Sequence, residues 1–217
     1  MQNFTAMGAN SNDIRTVTFT KSAASGAGVV YNLGANGAAL FANTTTADQS
    51  SFMCHANGGG VLFHDSATAE RAVFVLDGGA GAGNFGGGVS FFDNSTSASA
   101  VFTINASTAD SHDNFGTSGS VNFYDGSTVG DGFLVAEGGM VAGAAGGAIS
   151  FYEFSNAGIA LLVANGGQNG GLGGVISISS QASGGTARVE IFGDGTLVTN
   201  GIASVVIGSL EGDGILI

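Results

Sequence analysis

Four carboxylates recur through the middle of the chain at a spacing that indicates repeated units. They are Asp65, Asp93, Asp125 and Glu153, separated by 28, 32 and 28 residues. If a repeat stacks them, neighbouring carboxylates repel one another, and a cation, raised pKa values or solvation must relieve the repulsion. Calcium is one candidate, because hard oxygen ligands suit it. The alternative, which we favour because the nonapeptide calcium repeat is missing, is that these residues cap turns and bond to local backbone.

Carboxylates on adjacent repeats also suggest a retaining glycosidase, whose two carboxyl groups lie about 5 Å apart. Each of these repeats carries the same kind of acid, whereas a catalytic pair needs two different environments. His55, His64 and His112 show no triad or metal spacing in the sequence. We therefore predict no catalytic residue, no enzyme activity and no cofactor other than the candidate calcium.

The acidic residues belong to a repeat of 22 to 32 residues. An aromatic anchor lies two residues before each acid, and a small apolar residue lies two before the anchor, which is the alternation of a β-strand. The anchors are Phe19, Phe41, Phe63, Phe91, Phe123, Phe151 and, with the aromatic lost, Ser177. The full polar column two residues after the anchors is Lys21, Asn43, Asp65, Asp93, Asp125, Glu153 and Ser179.

A second apolar run follows each anchor by about ten residues, as in "VFVL" at 73 and "VFTI" at 101. Two short strands cannot bury their apolar side alone, so the units must stack. We predict an all-β, single-domain parallel β-solenoid of about seven coils, right-handed by the general bias of parallel crossovers, with the phenylalanine anchors as an inner core column. Residues 1–16 are assigned to an N-terminal cap or partial coil, 17–194 to the solenoid repeats and 195–217 to C-terminal partial coils.

In the middle coils the second strands carry apolar residues on both of their faces, for example at 73–76 and 161–163. A strand with two apolar faces is expected to be covered on both. Either the inserted corner at 106–118 folds back over this face, which we favour, or another copy of the chain packs there.

Aromatic residues also occupy the position one after the anchor, on the opposite strand face. This column is Ala42, His64, Phe92, Tyr124, Tyr152 and Ile178. Phe92, Tyr124 and Tyr152 suggest a platform on which a glycan or another protein surface stacks. The alternative, which we favour, is that the rings stack on one another and protect the sheet.

Composition limits the partners. Four basic and 16 acidic residues give a net charge of −12, which repels nucleic acid and anionic lipid surfaces. The single cysteine, Cys54, excludes an intrachain disulfide. No apolar run approaches the length of a transmembrane helix, and the first residues lack the features of a signal peptide, so we expect that a signal, if there is one, has been removed or lies outside this sequence.

The units "GGVLFHDSATAERAVFVLDGG", "GGVSFFDNSTSASAVFTIN" and "GGAISFYEFSNAGIALLVANGG", with "VVIGSLEGDGILI" at the C-terminus, resemble the glycine-rich β-strand repeats of bacterial autotransporter passengers and large surface adhesins. The resemblance covers residues 17–217 and rests on composition and period. It implies a right-handed parallel β-helix, export, and an extracellular or cell-surface location.

From these patterns we expect a non-enzymatic structural module, such as a stalk or a subunit of a surface adhesin or extracellular filament. The strand-like ends indicate a fragment of a longer solenoid or self-association end to end. Lateral self-association, glycans and other surface proteins are the further partners expected. The alternative function is a β-helix protein that binds or cleaves polysaccharide, with the aromatic or the acidic column as its site.

Overall fold

The computed structural model describes residues 2–7, 15–80, 83–111, 117–201 and 204–217. Within them the chain forms two parallel sheets of nine strands each and no helix, so the predicted parallel β-solenoid is confirmed. Sheet A contains β1 (Gln2–Ala6), β3 (Val29–Leu33), β5 (Ser51–Cys54), β7 (Val73–Leu76), β9 (Val101–Ile104), β11 (Phe133–Ala136), β13 (Leu161–Ala164), β15 (Arg188–Ile191) and β17 (Ser209–Gly212). Sheet B contains β2 (Arg15–Phe19), β4 (Gly37–Phe41), β6 (Gly60–Phe63), β8 (Gly88–Phe91), β10 (Ser120–Phe123), β12 (Ala148–Phe151), β14 (Val175–Ser179), β16 (Thr196–Asn200) and β18 (Ile215–Leu216).

The chain alternates between the sheets, so each coil contributes one strand to each of them. Register follows the anchors and not the length of the coil: Phe63 pairs with Phe91 and Phe91 with Phe123, although these spacings differ. The extra residues lie in the corners that follow the sheet A strands. We call four of these corners, at 77–87, 105–119, 137–147 and 165–174, the inserted corners.

A third row of parallel pairing lies in the polar arc that leads from sheet B to sheet A. Six isolated bridges connect it, through Ala24, Thr46, Thr68, Thr96, Thr128, Asn156 and Ser183. The hydroxyl of Thr68 accepts a hydrogen bond from the backbone N–H of Glu70, and Thr46 and Thr96 make the same short turn. The arc is therefore held in register by backbone and side chain together.

The core contains two aromatic columns that face each other across the solenoid, packed among buried aliphatic side chains. Sheet B provides the anchors Phe19, Phe41, Phe63, Phe91, Phe123 and Phe151, with ring centroids 4.5 to 5.0 Å apart. Sheet A provides Phe4, Tyr31, Phe52, Phe74 and Phe102, also stacked. Edge-to-face contacts join the columns, as between Phe91 and Phe102 at 6.2 Å. Both arrangements are favourable ring geometries, and together they fill the interior.

In the seventh coil the register differs by one residue from the sequence assignment. Phe151 pairs with Ile178, so the anchor is Ile178 and not Ser177. Ile178 is fully buried, while Ser177 lies on the outer face. The polar column two residues after the anchors continues at Ser180, and Ser179, not Ile178, lies in the outer position.

The corner at 106–118 was expected to cover the apolar outer face of sheet A, and its residues 112–116 lie outside the described residues. In the middle strands this face remains partly exposed. Val73, Val101 and Phe133 are 42%, 37% and 39% exposed. Only toward the C-terminal end does a residue of this face, Val163, become buried. An apolar strip of the sheet therefore faces solvent.

Candidate functional site

The four predicted acidic residues lie in one exposed row where the strands of sheet B end. Each uses one carboxylate oxygen to accept a hydrogen bond from the backbone N–H of the equivalent residue one coil earlier. Asp93 accepts from Asp65 at 2.9 Å, Asp125 from Asp93 at 3.0 Å and Glu153 from Asp125 at 2.7 Å. Asn43 makes the same bond through its amide oxygen, to the N–H of Lys21. The row is thus a ladder of side chain to backbone bonds that runs along the solenoid.

Backbone conformation explains why these side chains reach the preceding coil. The ladder residues and Ser180, which occupies the equivalent position in the next coil, have positive φ, from 54° to 64° in Lys21, Asn43, Asp65, Asp93, Asp125, Glu153 and Ser180. Asn and Asp tolerate this left-handed region better than other non-glycine residues. The turn-capping alternative is right that these side chains bond to backbone, but the backbone lies on the neighbouring coil and not in the local turn. The backbone N–H groups donate to these carboxylates, and the row is exposed to solvent.

The calcium hypothesis remains a prediction. Across the described ranges, no group of three or more His, Cys, Asp or Glu side chains is arranged to hold a metal ion. The ladder brings Asp65, Asp93, Asp125 and Glu153 together in a row, one oxygen of each being bonded to backbone.

The ladder allows a test in which backbone strain and hydrogen bonding are separated. Asp125→Ala places a Cβ-bearing residue without a side-chain acceptor at φ 54° and removes the bond to Asp93. We expect a loss of about 1–2 kcal/mol of unfolding free energy, measured by urea denaturation. Asp125→Gly should lose less, because glycine adopts positive φ freely. Asp125→Asn is the matched control and should stay within about 0.5 kcal/mol of the parent; a loss with Asn as large as with Ala would contradict the ladder's role.

The outward aromatic residues form a second, external stack. His64, Phe92, Tyr124 and Tyr152 lie parallel, with centroids 4.6, 5.0 and 4.9 Å apart and interplanar angles of 7° to 9°. Partial burial, then the neighbouring Tyr152 and Glu153, raise the pKa of the Tyr124 phenol. Since the rings cover one another's faces, the stack presents mainly ring edges to solvent. A sugar that stacks on an aromatic ring needs an exposed face, so this geometry suits the self-protecting alternative better.

Two of the three histidines contact carboxylates, and His112 lies outside the described residues. His55 Nδ1 is 2.7 Å from Asp77 Oδ2, and His64 Nδ1 is 3.6 Å from Asp93 Oδ2. Both pairs are roughly half-exposed on the outside of the solenoid. Neither brings a nucleophile and an oriented base together, as a catalytic triad requires.

Sequence reasoning missed a polar column on the residue that directly follows β5, β7, β9, β11 and β13 of sheet A. It consists of His55, Asp77, Asn105, Glu137 and Asn165. Asn105 Nδ2 donates to Asp77 Oδ1 at 3.4 Å, and Asn165 Nδ2 donates to Glu137 Oε2 at 2.8 Å. The available signal was positional: in these five coils a polar residue directly follows the apolar run.

A cavity of about 480 Å³ opens beside this column, between two of the inserted corners. We call it the corner groove. Its lining residues are Asn105, Ala106, Ser107, Thr108, Glu137, Gly138, Met140 and Val141. Its described lining residues supply one carboxylate, one amide, two hydroxyls and exposed apolar side chains, and its size is that of a small-molecule site.

The only cysteine, Cys54, is fully buried in the core. Burial, with a smaller contribution from the Asp77 carboxylate, raises the pKa of the Cys54 thiol far above its ordinary range. Because the thiolate is the reactive form, the thiol is protected in the folded chain both sterically and chemically. It is a core residue and a natural reporter of unfolding.

The described part of the chain contains no helix that could span a membrane. Comparison with known proteins finds no matching family model, no matching curated protein and no matching solved structure. Function must therefore be argued from the repeated geometry and from the few positions at which the repeat is interrupted.

Proposed function

We propose that the chain is a non-enzymatic structural module, a stiff rod of a bacterial cell surface or extracellular filament that holds other groups at a distance and presents a repetitive surface. The observation that carries the proposal is the register of the two sheets, which continues through nine rungs in each of them. At about 4.8 Å per rung, such a stack spans roughly 40 Å along its axis.

The equivalence of the coils supports the same proposal. The inner columns, the carboxylate ladder and the external ring stack repeat with nearly constant geometry from coil to coil. Catalysis needs one exceptional position where two acids differ in environment, whereas stiffness needs many equivalent ones. The polysaccharide-cleaving alternative therefore has less support than the structural one.

The first and last described rungs extend the proposal to self-association. β1 and β2 lie at one edge of their sheets, and β17 and β18 lie at the other. Leu210, Ile215 and Leu216 are 42%, 44% and 59% exposed at this second edge. Strand edges of this kind pair readily with further strands. We propose that another copy of the chain adds rungs here.

Two measurements test the proposal. Immunogold labelling of producing cells should place the protein at or beyond the cell surface. If copies join end to end, small-angle scattering with negative-stain microscopy should show rods that lengthen as the protein concentration rises. Labelling confined to the cell interior would overturn the surface role. On a glycan array, binding that is lost in Phe92→Ser and Tyr124→Ser would favour the polysaccharide-binding alternative instead.

A further inference from the structure

We propose that the corner groove binds a primary ammonium group carried on an apolar body. The groove lies at a break in the polar column that follows the sheet A strands. Hydrogen bonds connect His55, Asp77 and Asn105, and a separate bond connects Glu137 and Asn165. The structure gives no bond between Asn105 and Glu137 in the described part of the chain, and both side chains line the groove. The break is therefore where the column has room for a ligand.

The break offers two hydrogen-bond acceptors. Asn105 donates one Nδ2 hydrogen to Asp77, and its amide oxygen remains an acceptor beside the second Nδ2 hydrogen. Glu137 accepts from Asn165 through Oε2, which leaves Oε1 as a second acceptor. A ligand that satisfies two acceptors must supply donors, and an ammonium group supplies three.

Charge selects a cation over a neutral donor. Among the described residues that line the groove, Glu137 is the only charged one. Arg188 is already paired with Glu190 and Glu211, away from this corner. Hydrogen bonds between an ionised donor and a carboxylate are about twice as strong as neutral ones. With a net charge of −12, the chain also attracts cations from a distance.

The apolar walls define the rest of the ligand. Met140 and Val141 are 56% and 43% exposed, and both line the groove together with Ala106. A methionine side chain adapts its shape to what it contacts. An apolar body of about the size of a phenyl ring would cover these side chains while its ammonium group reaches Glu137.

The equivalent acid two coils earlier is already engaged. Asp77 contacts His55 through one oxygen at 2.7 Å and accepts from Asn105 through the other. The same corner position is therefore satisfied within the chain at Asp77, while at Glu137 one oxygen remains for a ligand. The inference concerns this single groove and does not depend on the proposed structural role.

The test uses the phenethylammonium ion as probe and the intact, ¹⁵N-labelled protein in NMR titrations. Phenethylammonium should shift the amide signals of Thr108, Gly138 and Val141 in a saturable manner. 2-Phenylethanol, which has the same body without charge, and 3-phenylpropanoate, which has the opposite charge, should shift them at least about tenfold more weakly at equal concentration. Equal shifts from the alcohol, or no saturable shift from the ammonium ion, would overturn the proposal.

Variants locate the site. Glu137→Gln keeps an acceptor for Asn165 but removes the charge, and it should weaken phenethylammonium binding about tenfold. Met140→Ser removes part of the apolar wall and should weaken binding severalfold. Asp131→Asn changes net charge by the same unit at an exposed residue that does not line the groove, and should leave binding unchanged. If Asp131→Asn weakens binding as much as Glu137→Gln, the effect is general electrostatic attraction and the proposed site is wrong. Thermal unfolding of each variant verifies that the fold is retained.

Discussion

Phe91→Ala is expected to lower the free energy of unfolding by about 3–5 kcal/mol, because truncating a large buried ring loses its transfer energy and leaves a cavity. Phe91 is fully buried and stacks between Phe63 at 4.6 Å and Phe123 at 4.8 Å, with an edge-to-face contact to Phe102. Removing it interrupts the inner column in the middle of the rod. The loss is a large part of the 5–15 kcal/mol that stabilises a typical domain.

The control for Phe91→Ala is Phe154→Ala, since Phe154 is 67% exposed. This change should alter the unfolding free energy by less than about 0.5 kcal/mol. Urea unfolding followed by circular dichroism gives the free energies, and labelling of Cys54 by a thiol reagent reports whether the N-terminal coils open at the same urea concentration. Equal effects of the two substitutions would contradict the role of the inner column.

Gly86→Ala is expected to destabilise the solenoid by about 3 kcal/mol through overpacking. A Cβ on Gly86 would lie well inside contact distance of the Ser118 carbonyl on the next coil, and its other neighbours there are also backbone atoms. Because backbone cannot rotate away as a flexible side chain does, the two coils must separate locally. The inserted corner at 77–87 should then lose its close contact with the following corner.

Gly88→Ala, only two residues further along, is the matched control. A Cβ there meets nothing closer than the Ser120 hydroxyl at 3.6 Å, an ordinary contact. This substitution should be neutral, or stabilising by about 0.4–1 kcal/mol through the reduced entropy of the unfolded chain. The difference in melting temperature between the two variants measures the coil-to-coil approach at Gly86. Similar melting temperatures would contradict it.

The fold could be predicted because its strongest signal is local. Alternation around Phe63 and Phe91 identifies strands, and the recurrence of the unit requires that the strands stack. The inward direction of Phe74 and Phe102 was harder to predict, because the second strands carry apolar residues on both faces. For them the inner face is decided by ring packing across the interior, which involves residues distant in sequence.

Three features escaped prediction for physical reasons. In "VISIS" no aromatic residue marks which alternating set of side chains faces the core. The choice between Ser177 and Ile178 as the anchor therefore rests on tertiary packing. The ladder bonds depend on positive φ, which aims Asp93 and its equivalents at the preceding coil. The corner groove arises between corners that have no periodic pattern, so nothing in the sequence places Met140 near Asn105.

Because the anchors and not the corner lengths set the register, recombination in the gene can change the number of rungs. The repeats that begin at Gly59 and Gly87 are similar in sequence, and Gly60, Val61 and Phe63 pair with Gly88, Val89 and Phe91. Unequal crossing-over between the corresponding gene segments would remove or duplicate 28 codons, the separation of Asp65 and Asp93. The product would keep its pairing and differ by one rung, so recombination can alter the rod in steps of about 4.8 Å. Alleles of the gene should therefore vary in whole repeats and seldom in parts of them.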